Sequence, residues 1–303
     1  MPAVPFIEGQ LYNRRRDINI PFGGSWQSGI SPSASHPFIF IFTGASGHLH
    51  GYRDGWDNPN VFSYTGEGQH GDMQFTKGNL ALSNHHGNGK RVFLFKAKSG
   101  DPRGFVRFEA EVEVYDVDYF ETEDTLGKTR VGIKFFFKRA GAYVPKISDS
   151  VLANSSDSNI ALVLNIPAET ERRGLVTSRI GQGMYRKRVI HRWEYECAVT
   201  GFDRMDVLIA SHIVPWAEST NAERHDPENG ILLSPTYDAL FDRHLITFEN
   251  SGKILLAESI ETSAFNKIGV TGQERIHRLH EDNHHYLLRH QETFQLVSQK
   301  QQY

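Results

Sequence analysis

Short apolar runs with the period of strands dominate the first half of the chain. "HPFIFIF", "RVFLFKA" and "VGIKFFF" are brief, aromatic and branched, and each predicts a strand. "VRFEAEVEVY" alternates, placing Phe108, Ala110, Val112 and Val114 on one face and Arg107, Glu109, Glu111 and Glu113 on the other, as in a strand with one wet side. Gly-rich connections such as "GASGHLHGYRDGWDNPN" separate the runs; they are too long for hairpin turns and have the length of functional loops. Around "SDSVLANSSDS" the chain turns polar, so residues 1–145 read as one domain, 146–175 as a connecting segment and 176–303 as a second domain. In the second, "GLVTSRIGQGMYRKRVIHRWEYE" reads as helical from about Met184, and another helix is expected from Gln273 to Ser298.

A chain of 303 residues with 39% hydrophobic composition can bury two ordinary cores. Its net charge of -3 gives no global basic signature, so contact with nucleic acid has to come from local clusters. Two are present: Arg14, Arg15 and Arg16, and the helix carrying Arg186, Lys187, Arg188 and Arg192. One cysteine excludes an intrachain disulfide, and the opening "MPAVPFIEGQLYNRRRD" lacks the apolar centre of a signal peptide. No apolar run approaches the roughly 18 residues that span a bilayer, so a soluble, cytoplasmic protein without a membrane partner is expected.

The candidate chemistry lies downstream of Cys197. "CAVTG" begins as a zinc knuckle would, but the second cysteine position is Thr200 and no other cysteine exists, so no structural zinc is expected. "VLIASHIVPW" then ends an apolar run at His212, which can point inward from a strand as a general base for phosphodiester hydrolysis. Asn229, seventeen positions later and beside Gly230, suits a turn where its amide holds the loop carrying the histidine. Asp238 and Asp242 are four apart on a predicted helix, and their hard oxygens suit one Mg2+ or Mn2+ ion. "HEDNH", His280 to His284, matches a zinc-protease pattern, but the glycine that would fold a third ligand back is Leu287. A continuing helix would carry His290 about 15 Å from His280.

The order "CAVTG", "ASHIVPW", "NGILLSPTYDALFD" resembles the HNH endonucleases, from about Gly181 to Phe248, in the branch without a zinc knuckle. The resemblance implies a ββα-metal site with His212 as base, Asn229 as loop-holder and Asp238 as metal ligand, with Asp242 as a further ligand. Two positions depart from the pattern. Asp238 stands where the motif's final histidine belongs, and Ser211 stands at the usual metal ligand just before the base.

Upstream, Tyr52 and Tyr64 bracket a loop rich in Asp and Gly. A base removed from a duplex is held by stacking on aromatics and by hydrogen bonds to its Watson–Crick edge, and a carboxylate accepting from a cytosine amino group fits that task. Asp54 and Asp57 are the candidates. "QSGI", "GYRDGWDNPNVFSYTGEG" and "FTKGNLAL" resemble the SRA domain, a PUA-like module that flips 5-methylcytosine, over roughly Gly9 to Ala140. That resemblance implies a β-barrel in which Tyr52 and Tyr64 stack on the flipped base, Thr65 offers its backbone and a loop aspartate, Asp54 in preference to Asp57, reads the cytosine edge.

Together the halves predict an α+β protein: an N-terminal PUA-like/SRA β-barrel and a C-terminal ββα-metal (HNH) domain. The pair resembles modification-dependent, type IV-like restriction endonucleases of SRA–HNH type, directed at methylated or phage DNA. The expected partner is double-stranded DNA carrying 5-methylcytosine or 5-hydroxymethylcytosine, with Arg14–Arg16, Arg186, Arg188 and Arg192 on the phosphates. One active centre cuts one strand, which favours a homodimer. Two alternatives stand beside this: a reader whose nuclease is inactive, and a nuclease directed by another mark such as phosphorothioate.

Overall fold

Strands β1 (Leu11–Asn13), β2 (Ile30–Pro32) and β3 (Phe38–Thr43) open the first unit. They are followed by β4 (Gly55–Asn58), β5 (Val61–Thr65), helix α1 (Lys77–Ser83), β6 (Arg91–Lys96), β7 (Phe105–Glu123) and β8 (Thr129–Arg139). The structure, a computed structural model, describes residues 4–44, 54–147, 183–220 and 222–300. Its described residues divide into two compact units, one up to Pro145 and one from Lys146 onward.

The first unit is built on one eight-stranded sheet in the order β2-β3-β6-β7-β8-β5-β4, with β1 paired to β7. Strands β3 and β6 run parallel at its middle. Both their faces are buried, which is why they read as nearly continuous apolar runs. Ile39, Ile41, Val92 and Leu94 enter one core, and Phe40, Phe42, Phe93 and Phe95 enter a second, aromatic one. Here the alternation expected along β7 is broken. Leu94 pairs with Ala110 but Phe95 pairs with Phe108, so Glu109 is the extra residue of a bulge. Phe108 therefore joins the aromatic core, while Ala110 and Val112 join the other.

Among the described residues the first element of the second unit is a helix, α2, over residues 183–192, followed by the hairpin β9 (Ile209–His212) and β10 (Gly230–Leu233) and by helix α3 (Pro235–Phe241). A second hairpin, β11 (Ile246–Phe248) and β12 (Ile254–Leu256), helix α4 (Thr262–Lys267) and helix α5 (His284–Lys300) complete it. Its core joins Val189, Ile190 and Trp193 beside α2 to Leu208, Ile213, Ile231, Leu233, Phe241 and Leu287. Gly230 permits this packing, because a Cβ there would stand 2.5 Å from Val189 and 2.7 Å from the Tyr185 hydroxyl.

Two expectations are corrected here. The arginines of α2 do not form a solvated face: Arg186, Lys187 and Arg188 are buried, and Arg192 is half-buried. The last helix starts at His284, not near Gln273. The preceding segment is drawn into β-type pairing with the second hairpin, where Ile276 donates to Gly252 and Ile254 to Glu274. His280 is the N-cap of a short 3-10 turn, so the two histidines of "HEDNH" do not share a continuous α-helix. No helix among the described residues is long and apolar enough to cross a membrane.

Candidate functional site

Strand β9 ends at His212, directly opposite Gly230 of β10. The imidazole lies flat against Tyr185 of α2, with ring centres 4.1 Å apart, and edge-on to Trp216. Its Nε2 is 3.1 Å from the carbonyl oxygen of Arg224. A carbonyl only accepts, so Nε2 carries a hydrogen; in the neutral ring Nδ1 is then the acceptor, the tautomer that a base working through Nδ1 requires. Tyr185 also donates its hydroxyl to the Asn229 carbonyl at 3.0 Å, tying the helix, the histidine and the second strand together.

Asn229 is fully buried and holds the connection between the strands at several points. Its Oδ1 accepts from the Val214 amide at 2.8 Å. Its Nδ2 faces the Val214 carbonyl, the Ser219 hydroxyl and the Glu223 carbonyl at 3.3, 3.2 and 3.1 Å. Arg224, whose carbonyl meets His212, is the next residue, so this amide sets the position of the group that orients the imidazole.

Ser211, the residue before His212 on β9, reaches toward α3. There its hydroxyl donates to the buried carboxylate of Asp238. Asp242 is four residues on but stands exposed at the C-cap of α3, so the two carboxylates meet different environments. Elsewhere in this unit Glu228, His280 and Asp282 bring possible ligand atoms within 4.8 Å of one another. Glu228 is already paired with Arg192 at 3.0 Å, and the His280 Nδ1 accepts from the Asp282 amide.

In the first unit Asp54 precedes β4, and its Oδ1 receives three donors. They are the amide and hydroxyl of Thr65, both at 2.8 Å, and the ammonium of Lys134 at 2.9 Å. The Thr65 amide is thus committed to Asp54. Asp57 lies buried within β4 with the Ser63 hydroxyl 3.3 Å away. Tyr64 is packed in the core beside Phe137, and burial holds its phenol protonated well above the ordinary range. Tyr52 lies outside the described residues.

The basic candidates separate by burial. Arg14 stacks 3.7 Å above the Phe42 ring and donates to the Ser25 and Ser28 carbonyls, and burial pushes its guanidinium down to about 10. Arg186 donates to the Leu208 carbonyl at 2.6 Å and is likewise pushed down to about 10 by burial. Arg188 is buried, and Arg192 is held by Glu228. Arg186 and Arg188 are thus buried, and Arg14 and Arg192 half-buried. Arg15 and Arg16 are exposed, and Arg15 lies over the exposed ring of Trp26.

Residues 8–155 match the family model for the ScoMcrA-like SRA domain, and residues 197–249 match the HNH endonuclease model. The chain carries an SRA domain followed by an HNH endonuclease domain. No curated protein matches the chain. Among solved structures it is similar to the type IV phosphorothioation-dependent restriction endonuclease ScoMcrA, with 17% identity, a TM-score of 0.40, and 79% of this chain and 60% of that one covered. The modification-dependent TagI restriction endonuclease is 20% identical, with a TM-score of 0.34 and 96% and 94% covered. The SUVH5 SRA domain in complex with hemi-methylated CG DNA is 25% identical, with a TM-score of 0.34 and 48% and 97% covered.

Three residues of these domains escaped the sequence reading. In the SRA domain Lys134 carried a signal, a lone cation inside the apolar run "GIKFFF". In the HNH domain Tyr185 was hidden among the basic residues of α2. The Arg224 carbonyl is a backbone group, so no sequence pattern marks it.

Proposed function

We propose that this chain is a modification-dependent DNA endonuclease whose SRA domain reads a modified cytosine and whose HNH domain hydrolyses a nearby phosphodiester. The observation that carries the nuclease reading is the His212 imidazole, fixed through Nε2 on a carbonyl that Asn229 positions. A base in that state takes the proton of an attacking water on Nδ1. Tyr185 keeps the ring plane fixed through the transfer. Asp238, buried against the Ser211 hydroxyl, offers a hard-oxygen pair that fits Mg2+ or Mn2+, ions that bind through one or two carboxylates and complete their shell with water and phosphate. When bound, such an ion stabilises the charge that develops on the phosphoryl group and the leaving oxygen.

The reader half rests on Asp54. Among the described residues every hydrogen bond to this carboxylate enters Oδ1, and its side chain keeps 14% exposure, so Oδ2 can accept from a cytosine amino group. Asp57 is buried beside Ser63, which favours Asp54 for that role.

A plasmid cleavage series tests both halves. Cytosine-methylated, hydroxymethylated, phosphorothioated and unmodified plasmids are incubated with the full chain and Mg2+ or Mn2+, with and without EDTA. The phosphorothioate arm belongs here because the matching SRA model is ScoMcrA-like, and ScoMcrA is described with phosphorothioated DNA. Cutting is expected on the cytosine-modified plasmids and absent in EDTA. His212→Ala should lose cleavage by on the order of 10^2 to 10^4-fold while still binding. Asp238→Asn should lose more than Asp242→Asn. Equal cutting of unmodified plasmid refutes the reader, and wild-type cutting by His212→Ala refutes the nuclease centre. Breaks in both strands would call for two chains acting together, which favours a homodimer.

A further inference from the structure

Lys134 is a fully buried lysine whose ammonium is paired with Asp54, the carboxylate proposed above to read the base. It stands directly opposite Thr65 in the β5–β8 ladder, so its place is fixed by strand register. Its Nζ lies 2.9 Å from the Asp54 Oδ1 and 2.9 Å from the Thr65 Oγ1, beneath the Phe120 ring. On its other side Asp118 of β7 is its partner in register. Burying a lysine is costly unless the charge is paired and hydrogen-bonded, and this one is placed to touch both groups of the edge.

The consequence concerns which bases the edge can accept. Thymine carries the same 5-methyl group as 5-methylcytosine and is present throughout ordinary DNA. The two differ at position 4, where cytosine offers an amino donor and thymine a carbonyl acceptor. A protonated carboxyl free to rotate could turn a hydrogen toward that carbonyl. Here three donors converge on Oδ1, which fixes the rotation of the group and leaves Oδ2 as an acceptor. An acceptor facing the thymine carbonyl leaves two buried oxygens opposed, whereas facing cytosine it completes a hydrogen bond.

We propose that Lys134 is the positioning residue that makes this edge accept modified cytosine and reject thymine, by anchoring the Asp54 carboxylate through Oδ1. The proposal rests on the reading of Asp54 given above. Lys134 itself touches no base. Its effect passes entirely through Asp54 and Thr65.

The test is a binding titration of the full chain in EDTA, which prevents cutting, at one salt concentration. The probes are three duplexes identical except for 5-methylcytosine, cytosine or thymine opposite guanine at one position. The cost of extruding each base is the same for every variant, so it cancels when preference ratios are compared. Wild type should prefer 5-methylcytosine to thymine. Lys134→Met should lower that ratio about tenfold, or about 1.4 kcal/mol, and Lys134→Arg, which keeps a cation, should hold it within about threefold. Asp54→Asn can turn an amide donor to the thymine carbonyl and should collapse the ratio. If Lys134→Met keeps the wild-type ratio while Asp54→Asn collapses it, the Lys134 proposal is overturned and the reading of Asp54 stands. If Asp54→Asn also keeps the ratio, the base-reading edge itself is misplaced. Thermal melts establish that each variant is folded. Should Lys134→Met fail to fold, Lys134→Gln, a neutral and weaker donor, replaces it with a smaller loss in the same direction, and an unchanged ratio there overturns the proposal equally.

Discussion

Replacing Asn229 by alanine should disable the nuclease without touching any group that meets the substrate. The side chain is fully buried, and the Val214 amide depends on its Oδ1. The acceptors it serves keep other donors: Ser219 still donates to the Val214 carbonyl, and the Asp226 amide still reaches the Glu223 carbonyl. The loss is therefore one stranded buried N–H, at about 1 to 3 kcal/mol, plus a small polar cavity, for a total of about 2 to 4 kcal/mol. The catalytic effect should exceed what this destabilisation alone explains. Arg224 follows Glu223 directly, and its carbonyl fixes His212. A shift of about 1 Å in a positioned group can cost on the order of 10^2-fold in rate. Asn229→Asp should be no rescue, because it retains the acceptor for Val214 but opposes a carboxylate oxygen to two carbonyls. Urea unfolding of the full chain gives the stability change, and single-turnover cleavage under conditions where the variant is folded gives the rate. A variant that unfolds within about 1 kcal/mol of wild type and cuts within threefold of it would refute the reasoning.

Two further outcomes follow from burial and charge. His290 is sandwiched between Phe241 and His244 and bonded to Thr247, and burial pushes its imidazole down to about 3. The fold holds it neutral, so its contribution is full above the ordinary value of 6.5 and is lost as pH falls from there toward 3. Between pH 7.5 and 5.5 this one group should remove about 1.3 kcal/mol of HNH-domain stability. Urea melts of His290→Leu should show a correspondingly shallower pH slope, and an identical slope would assign the dependence elsewhere. On the SRA domain, Arg15→Ala and Arg16→Ala should each reduce the salt dependence of DNA binding by about one counterion, whereas Arg186→Met, in the HNH domain, should leave that slope unchanged and lower stability. A salt slope indifferent to both surface arginines would move the phosphate contacts elsewhere.

What the sequence determined by itself was whatever is written locally in type and spacing. The apolar runs around Phe40, Phe93 and Phe135 were legible because burial on both faces selects aromatic and branched residues at every position. His212, Asn229 and Asp238 could be proposed from the sequence as base, loop-holder and metal ligand because these are distinct residue types at set separations. The tertiary structure decided what depends on partners distant in the chain. Glu109 bulges only because of how β7 pairs with β6, and that single residue moves Phe108 into a different core from Ala110. Basic composition on α2 looked like a surface, yet carbonyls from Met205 and Leu208 reach Arg186 and pull it inside. The segment before His284 had the composition of a helix but was captured by pairing with the second hairpin. Lys134 met Asp54 across eighty residues because strand register set it opposite Thr65, which also holds Asp54. A period along the chain records how often a side chain is buried; which atoms it then meets is fixed only when the strands choose their neighbours.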